Sequence, residues 1–244
     1  MHYFRGALKE LGSEQAMSAG LPFGESAEMY LKTIYELSAE RPLVPISTMA
    51  QRLGISAVSA TEMVHRMRGH QLVEHLPYKG VRLTGEGRRR ALRVVRRHRL
   101  WECFLADHLG LPWHEVHDLA CRLEHAMEAR VTEALAQHLG HPARCPHGNP
   151  IPNTEGLLPS APGVPLASLE PGASAVLQRV HPESSEVLEF LAARQILPGA
   201  ALTVESVNLS DQLWAVRVGD RSEWIAQGVV NRLIVLPDTP KGRG

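Results

Sequence analysis

Between His117 and His125 the chain reads His-Asp-Leu-Ala-Cys-Arg-Leu-Glu-His, which places two imidazoles, a thiol and a carboxylate within nine residues. Cys121 stands four residues after His117, three before Glu124 and four before His125. On a helix of 3.6 residues per turn, that spacing turns all four side chains towards one side. Thiolate, imidazole and carboxylate together suit a borderline divalent transition ion better than Ca²⁺ or Mg²⁺. A solvated amphipathic helix has the same spacing, but free cysteine is usually buried, which favours a ligand site. His98 and Glu102, four apart, form a second pair of the same kind, which a surface contact would explain equally well. Cys145 and His147 lie two apart in a proline-rich stretch with no further cysteine nearby, and are set aside as ligands. Three cysteines, Cys103, Cys121 and Cys145, are an odd number without repeated spacing, so metal or redox chemistry fits them better than a disulfide framework.

These residues need helices to hold them, and the pattern supplies several. Residues 1–24 carry no sustained periodicity and read as a mobile arm, with Met17 an alternative start. From Glu25 a helical stripe of Met29, Ile34 and Leu37 begins, with Ser26 as its N-cap, and it ends at Arg41-Pro42. Ile46 to Leu53 reads as a short helix capped by Ser47 and stopped by Gly54, and a third helix runs from Ala57, capped by Ser56, to about Gln71. Leu72 to Thr84, broken by Pro77-Tyr78-Lys79-Gly80, reads as a β-hairpin. Helix-turn-helix followed by hairpin predicts a winged helix over 25–96. A long helix is expected from Glu86 to Leu109, then one opened by Pro112 that carries the His117–His125 stretch and continues or restarts to Leu139. Residues 97–141 are thus a helical, metal-binding and dimerisation region. A proline-rich linker covers 142–163, a β-rich domain 164–238 and a frayed tail 239–244. Short strands at Ala175–Leu177, Ala201–Val204, Leu213–Val218 and Leu233–Leu236, with a helix at Ser185–Arg194, predict an SH3-like small barrel. The fold class is mainly α with a β-rich C-terminal domain.

The formal net charge is zero, yet residues 41–99 hold thirteen Lys/Arg against three acids, a net +10 that the rest of the chain offsets. A polyanion-binding segment joined to an acidic remainder follows from that split. In a winged helix the start of the third helix enters the major groove. There Ser56, Ser59 and Thr61 can donate to bases or phosphates, Val58 can meet a thymine methyl and Glu62 can accept from cytosine. Arg66, Lys79 and Arg82 would neutralise phosphates. No apolar run is long enough to span a bilayer and no signal-peptide pattern is present, so a soluble, cytoplasmic protein is expected.

The order of winged helix, ligand-bearing helices, proline-rich stretch and β-rich domain resembles the diphtheria-toxin-repressor family of metal-dependent transcriptional regulators, over about residues 25–237. The likeness is carried by Glu28-Met-Tyr-Leu-Lys-Thr-Ile-Tyr-Glu-Leu37, His98-Arg-Leu100, Val116-His-Asp118, Ala120-Cys-Arg-Leu-Glu-His125 and Gly148-Asn-Pro-Ile-Pro152. The resemblance implies a homodimer that binds a double-stranded operator, is not an enzyme, and ends in an SH3-like, FeoA-like domain. It implies two metal sites, a primary one of Met29, Cys121, Glu124 and His125 and an ancillary one of His98, Glu102 and His117. Glu183 and Glu186 have the spacing of the C-terminal residues that reach the ancillary ion. His117 is thereby expected to turn towards His98 and Glu102, and Cys121, Glu124 and His125 towards Met29. Fe(II) is the metal the resemblance favours, followed by Mn(II). Val58 and Glu62 depart from the iron-type pattern, which has Pro and Gln there, so a different operator is expected. Three other readings compete: a winged helix that senses oxidants through Cys121 or Cys103, a metallohydrolase, which would leave the winged helix unexplained, and a C-terminal domain that binds a peptide.

Overall fold

The structure, a computed structural model, describes residues 24–39, 41–125 and 128–238. The expected arm and tail lie almost wholly outside these. The chain divides into two compact units, residues 1–87 and 88–244.

The N-terminal unit holds α1 (Gly24–Leu37), α2 (Ile46–Leu53), α3 (Ala57–Gly69) and a two-stranded hairpin of β1 (Val73–Leu76) and β2 (Gly80–Leu83). Helix α1 begins at Gly24, so Ser26 sits inside its first turn; Pro45, not Ser47, is the residue preceding α2. Gly54 ends α2 in the left-handed region at φ 65°, where a side chain would be disfavoured. Two residues later Ser56 caps α3, its Oγ accepting from the Ser59 N–H at 3.0 Å. The apolar faces of all three helices meet in a core that includes Leu31, Ile34, Met49, Val64 and Met67. The hairpin is held at its base by backbone bonds between Val44 and Val81 in both directions, at 2.9 and 2.8 Å. Gly80 is required there, because a Cβ would lie 2.4 Å from the Val44 carbonyl oxygen. Tyr78 stands fully exposed at the hairpin tip.

The boundary between the units falls within α4 (Gly85–Cys103), which passes into a π-helical turn at Phe104–His108 instead of continuing as a regular helix. In the C-terminal unit α5 (Val116–Leu123) starts after three turn residues beyond Pro112 and ends before Glu124, which is its C-cap; α6 (Ala129–His138) follows. The proline-rich stretch folds back on itself: Cys145 N–H donates to Asn149 O at 2.9 Å and Gly148 N–H to Cys145 O at 2.8 Å. Cys145, His147, Asn149 and Ile151 are buried as a result.

The remaining residues form one six-stranded antiparallel sheet. Its strands are β3 (Val164–Pro165), β4 (Ser174–Val180), β5 (Ala201–Asn208), β6 (Leu213–Val218), β7 (Arg221–Ala226) and β8 (Leu233–Pro237), with α7 (Ser185–Ala193) after β4 and α8 (Gln227–Val230) before β8. The strand order is β3-β8-β4-β5-β6-β7. This corrects the expected barrel: the sheet is open. Closure requires the first and last strands to pair, but β3 offers only two residues, one of them a proline without an N–H, and both pair with β8. α7 and the inward faces of the strands enclose a core around Leu177, Leu188, Val204, Trp214 and Val235.

Candidate metal centre and nucleic-acid interface

Helix α4 presents His98 and Glu102 one turn apart on a face that is almost fully buried, at 3% and 0% exposure. His98 uses both ring nitrogens. Its Nε2 lies 2.8 Å from Glu102 Oε1 and 3.1 Å from His117 Nδ1, while its Nδ1 lies 2.6 Å from Glu124 Oε2. Cys121 Sγ is 3.9 Å from the same Nδ1, and His125 Nε2 is 3.3 Å from Glu124 Oε1. His98, His117 and Cys121 therefore offer three donor atoms within 4.8 Å of one another, with Glu124 and His125 beside them.

A second group of donors surrounds Glu102. Its Oε1 is 3.0 Å from Nδ1 of His147, whose Nε2 is fixed at 2.9 Å by the Trp113 carbonyl. Cys145 and Glu183 complete the group, with all four donors within 4.8 Å and all four residues buried. Asn149 orients Glu183, donating from Nδ2 to its Oε1 at 2.6 Å and to Val180 O at 2.8 Å. Ser185, at the start of α7, donates to Asp118 of α5 at 2.6 Å and ties the sheet domain to the ligand-bearing helix. Glu186 is exposed and stands outside the group.

Electrostatics set this region apart. Glu102, Glu124 and Glu183 are buried carboxylates, and Glu102 Oε2 has no hydrogen-bond partner among the described residues. Burial pushes the Glu102 carboxyl up, but the charges of His147 and His98 and hydrogen bonds from His117 and His147 outweigh it and hold it well below the usual carboxylate range. Burial lowers His147, and Glu102 more than restores it, leaving the imidazole above its ordinary value. Glu183, also buried, is held below the carboxylate range by His181 and Arg99. Burial, followed by the charges of Glu102 and Glu183, raises the Cys145 thiol well above its ordinary value. Uncompensated buried charge is costly, and an orphaned carboxylate oxygen among imidazoles and thiols is the environment a divalent cation relieves.

The structure thus groups the expected ligands differently from the spacing. His117 does face His98 and Glu102, but His98 also contacts Glu124 and Cys121, so it stands between the two groups. Met29 is on α1 of the N-terminal unit, 42% exposed and outside its buried core. Cys145 and His147, set aside in the sequence, are inside the second group. The signal was Cys-Pro-His-Gly: the tight turn at Gly148, with φ 85°, brings two ligand-type side chains together without a regular element. Cys103 is buried, and burial and the charge of Glu102 push its thiol up to about 12.

On the N-terminal unit Ser56, Val58, Ser59 and Glu62 are exposed along the start of α3, Val58 at 69%. Thr61 donates to Ala57 O at 2.7 Å, so its hydroxyl proton is engaged within the helix. Arg66 and Lys79 are exposed, whereas Arg82 makes two bonds to Glu74 Oε2 at 2.8 and 2.6 Å.

Comparison with known proteins places each part. Residues 22–81 match the iron dependent repressor N-terminal DNA binding domain, residues 84–153 the iron dependent repressor metal binding and dimerisation domain, and residues 164–237 the FeoA domain. The diphtheria toxin repressor of Corynebacterium efficiens is 44% identical over 129 residues, which are 52% of this chain and 56% of that protein. The chain thus spans little more than half the length of such curated relatives. A manganese-dependent transcriptional repressor in complex with manganese superposes with a TM-score of 0.79 at 32% identity, covering 86% of this chain and 99% of that one. ScaR with bound Zn²⁺ gives a TM-score of 0.78 at 29% identity, over 86% of this chain and 98% of that one.

Proposed function

This chain belongs to the iron-dependent repressor family, and from that premise we propose that it is a cytoplasmic, homodimeric repressor of metal-uptake genes that binds its operator when a divalent metal is present. The observation that carries the reading is the pair of donor groups, one buried and the other buried except for the half-buried Cys121, joined through His98 and Glu102. Cys121, Glu124 and His125 would hold the regulatory ion, with Met29 added by the family resemblance; Glu102, Cys145, His147 and Glu183 would hold a second, with His98 and His117 serving either group. The mixed thiol, imidazole and carboxylate donors fit Fe(II) first and Mn(II) second, since Irving–Williams affinity alone cannot select the physiological ion. A bound cation supplies positive charge that cancels the repulsion among the buried carboxylates and thiolates.

The remaining work belongs to the chain itself. Ser56, Val58, Ser59 and Glu62 would read base edges and adjacent phosphates from α3, Thr61 would only accept, since its proton goes to Ala57 O, and Arg66, Lys79 and Arg82 would meet the backbone. The ion raises operator affinity only by its preference for the DNA-competent arrangement, a coupling of about 1–3 kcal/mol. Cys121→Ala tests the reading through anaerobic binding of an operator fragment with Fe(II), with Mn(II) and with chelator. The variant should lose most of the metal-dependent gain and keep the weak metal-free binding. Undiminished metal-dependent binding overturns the ligand assignment, and peroxide-sensitive binding that ignores chelator moves the protein to the oxidant-sensing class.

A further inference from the structure

Two histidines outside both donor groups close two separate helices. His108 is the last residue of the π-helical turn that continues α4, and His138 is the last residue of α6. Both are exposed. Their ring centres are 4.9 Å apart with the planes at 44°, and His98 and His117 in the buried donor group show the same 4.9 Å separation. That distance has a geometric meaning. An ion about 2.0–2.1 Å from a ring nitrogen lies about 3.2 Å from the ring centre, so two imidazoles bound side by side to one ion, at about 90–110°, have centres about 4.5–5.2 Å apart.

Three further observations fit a cation. Among the described residues neither imidazole has a hydrogen-bond or acidic partner that would compete for its nitrogens. Phe104 stacks on His108 at 5.6 Å and 14° and lies 6.3 Å from His138, which limits the freedom the rings lose on binding. Each histidine sits at the carbonyl end of its helix, where the backbone dipoles favour positive charge. We propose that His108 and His138 form a third divalent-metal site, on the surface of the C-terminal unit, taking Zn(II) or a similar late first-row ion with water in the remaining positions. The donors are neutral nitrogens without a carboxylate, so the site discriminates against Mn(II) and Fe(II), which the buried groups accept through their acids. The ion clips α6 to the end of α4. The assignment stands independently of the regulatory reading.

The test is calorimetric titration of the full chain with Zn(II) and, separately, with Mn(II), for the wild type, His108→Gln and His138→Gln. Each variant should take up one Zn(II) fewer per chain than the wild type. Its remaining Zn(II) affinities should stay within about twofold, as expected for distant independent sites, and its Mn(II) uptake should be unchanged. Zn(II) uptake equal to wild type in either variant overturns the site. A parallel fall in Mn(II) uptake also overturns it, because the substitution would then be acting through the buried donors.

Discussion

His98 concentrates the chemistry of the site in one ring. Its two nitrogens reach carboxylates from different parts of the chain, Glu124 at 2.6 Å and Glu102 at 2.8 Å. Helical spacing makes two pairs readable in the sequence, His98 with Glu102 and His117 with Cys121, each one turn apart, whereas only the family resemblance brought the two pairs together across 19 residues. His147 was not readable that way: its partner Glu102 is 45 residues distant, and only the folding of the proline-rich stretch brings them together. The same burial that hides Cys145 fixes its protonation. With its thiol raised well above the ordinary value, Cys145 keeps its proton at neutral pH, and metal binding must displace it. Affinity for the second ion should therefore rise with pH, by about tenfold per unit for each proton released. Calorimetry in buffers of different ionisation enthalpy counts those protons, and Cys145→Ser should release one fewer than the wild type.

Among the elements, the hairpin separates residues that look alike in sequence. Lys79 and Arg82 are both exposed cations of the wing, but Arg82 is already paired with Glu74 across the two strands. Lys79→Ala should reduce the log–log salt slope of operator binding by about 1, the loss of one phosphate contact. Arg82→Ala should change that slope less, because the pair with Glu74 competes with phosphate. Gly87, in the first turn of α4, touches the Leu72 carbonyl so closely that a Cβ would lie 1.9 Å from its oxygen. Gly87→Ala should destabilise the N-terminal unit by about 1–3 kcal/mol, the usual cost of overpacking, read as a lower denaturation midpoint. The helix-turn-helix and hairpin were legible because Gly54, the Ser56 cap and the Pro77-Tyr78-Lys79-Gly80 turn mark the ends of elements that the structure also has, whereas Ser26 and Ser47 do not cap. The early end of α5 was not, since Glu124 and His125 keep helical spacing beyond the last helical residue. Strand β7 is not legible in the sequence either, because its Arg-Ser-Glu start reads as loop and only Trp224 and Ile225 carry β character.

At the scale of the whole molecule, metal and stability are linked. Any ion bound only by the folded chain stabilises it, by about 2.7 kcal/mol at a concentration one-hundredfold above its dissociation constant. At about 2–4 °C per kcal/mol, removing metal with a chelator should lower the melting temperature by about 5–10 °C, measured by calorimetric scanning with and without chelator. The mainly helical class and the β-rich C-terminal domain followed from periodicity, whereas closure of the sheet depends on which strands pair, and local patterning is silent on that. The open sheet has a consequence for how the protein behaves when crowded with its own copies. An unclosed sheet keeps two rims of backbone that another chain could extend. One rim is blunted by the brevity of β3 and by Pro165. Along the other, Arg221 donates to the Arg194 carbonyl and Glu223 pairs with Arg194 at 3.2 Å, which lays charge and a helix end against β7. Arg194, Arg221 and Glu223 thus place three ionic side chains along the edge strand that carries the exposed Trp224.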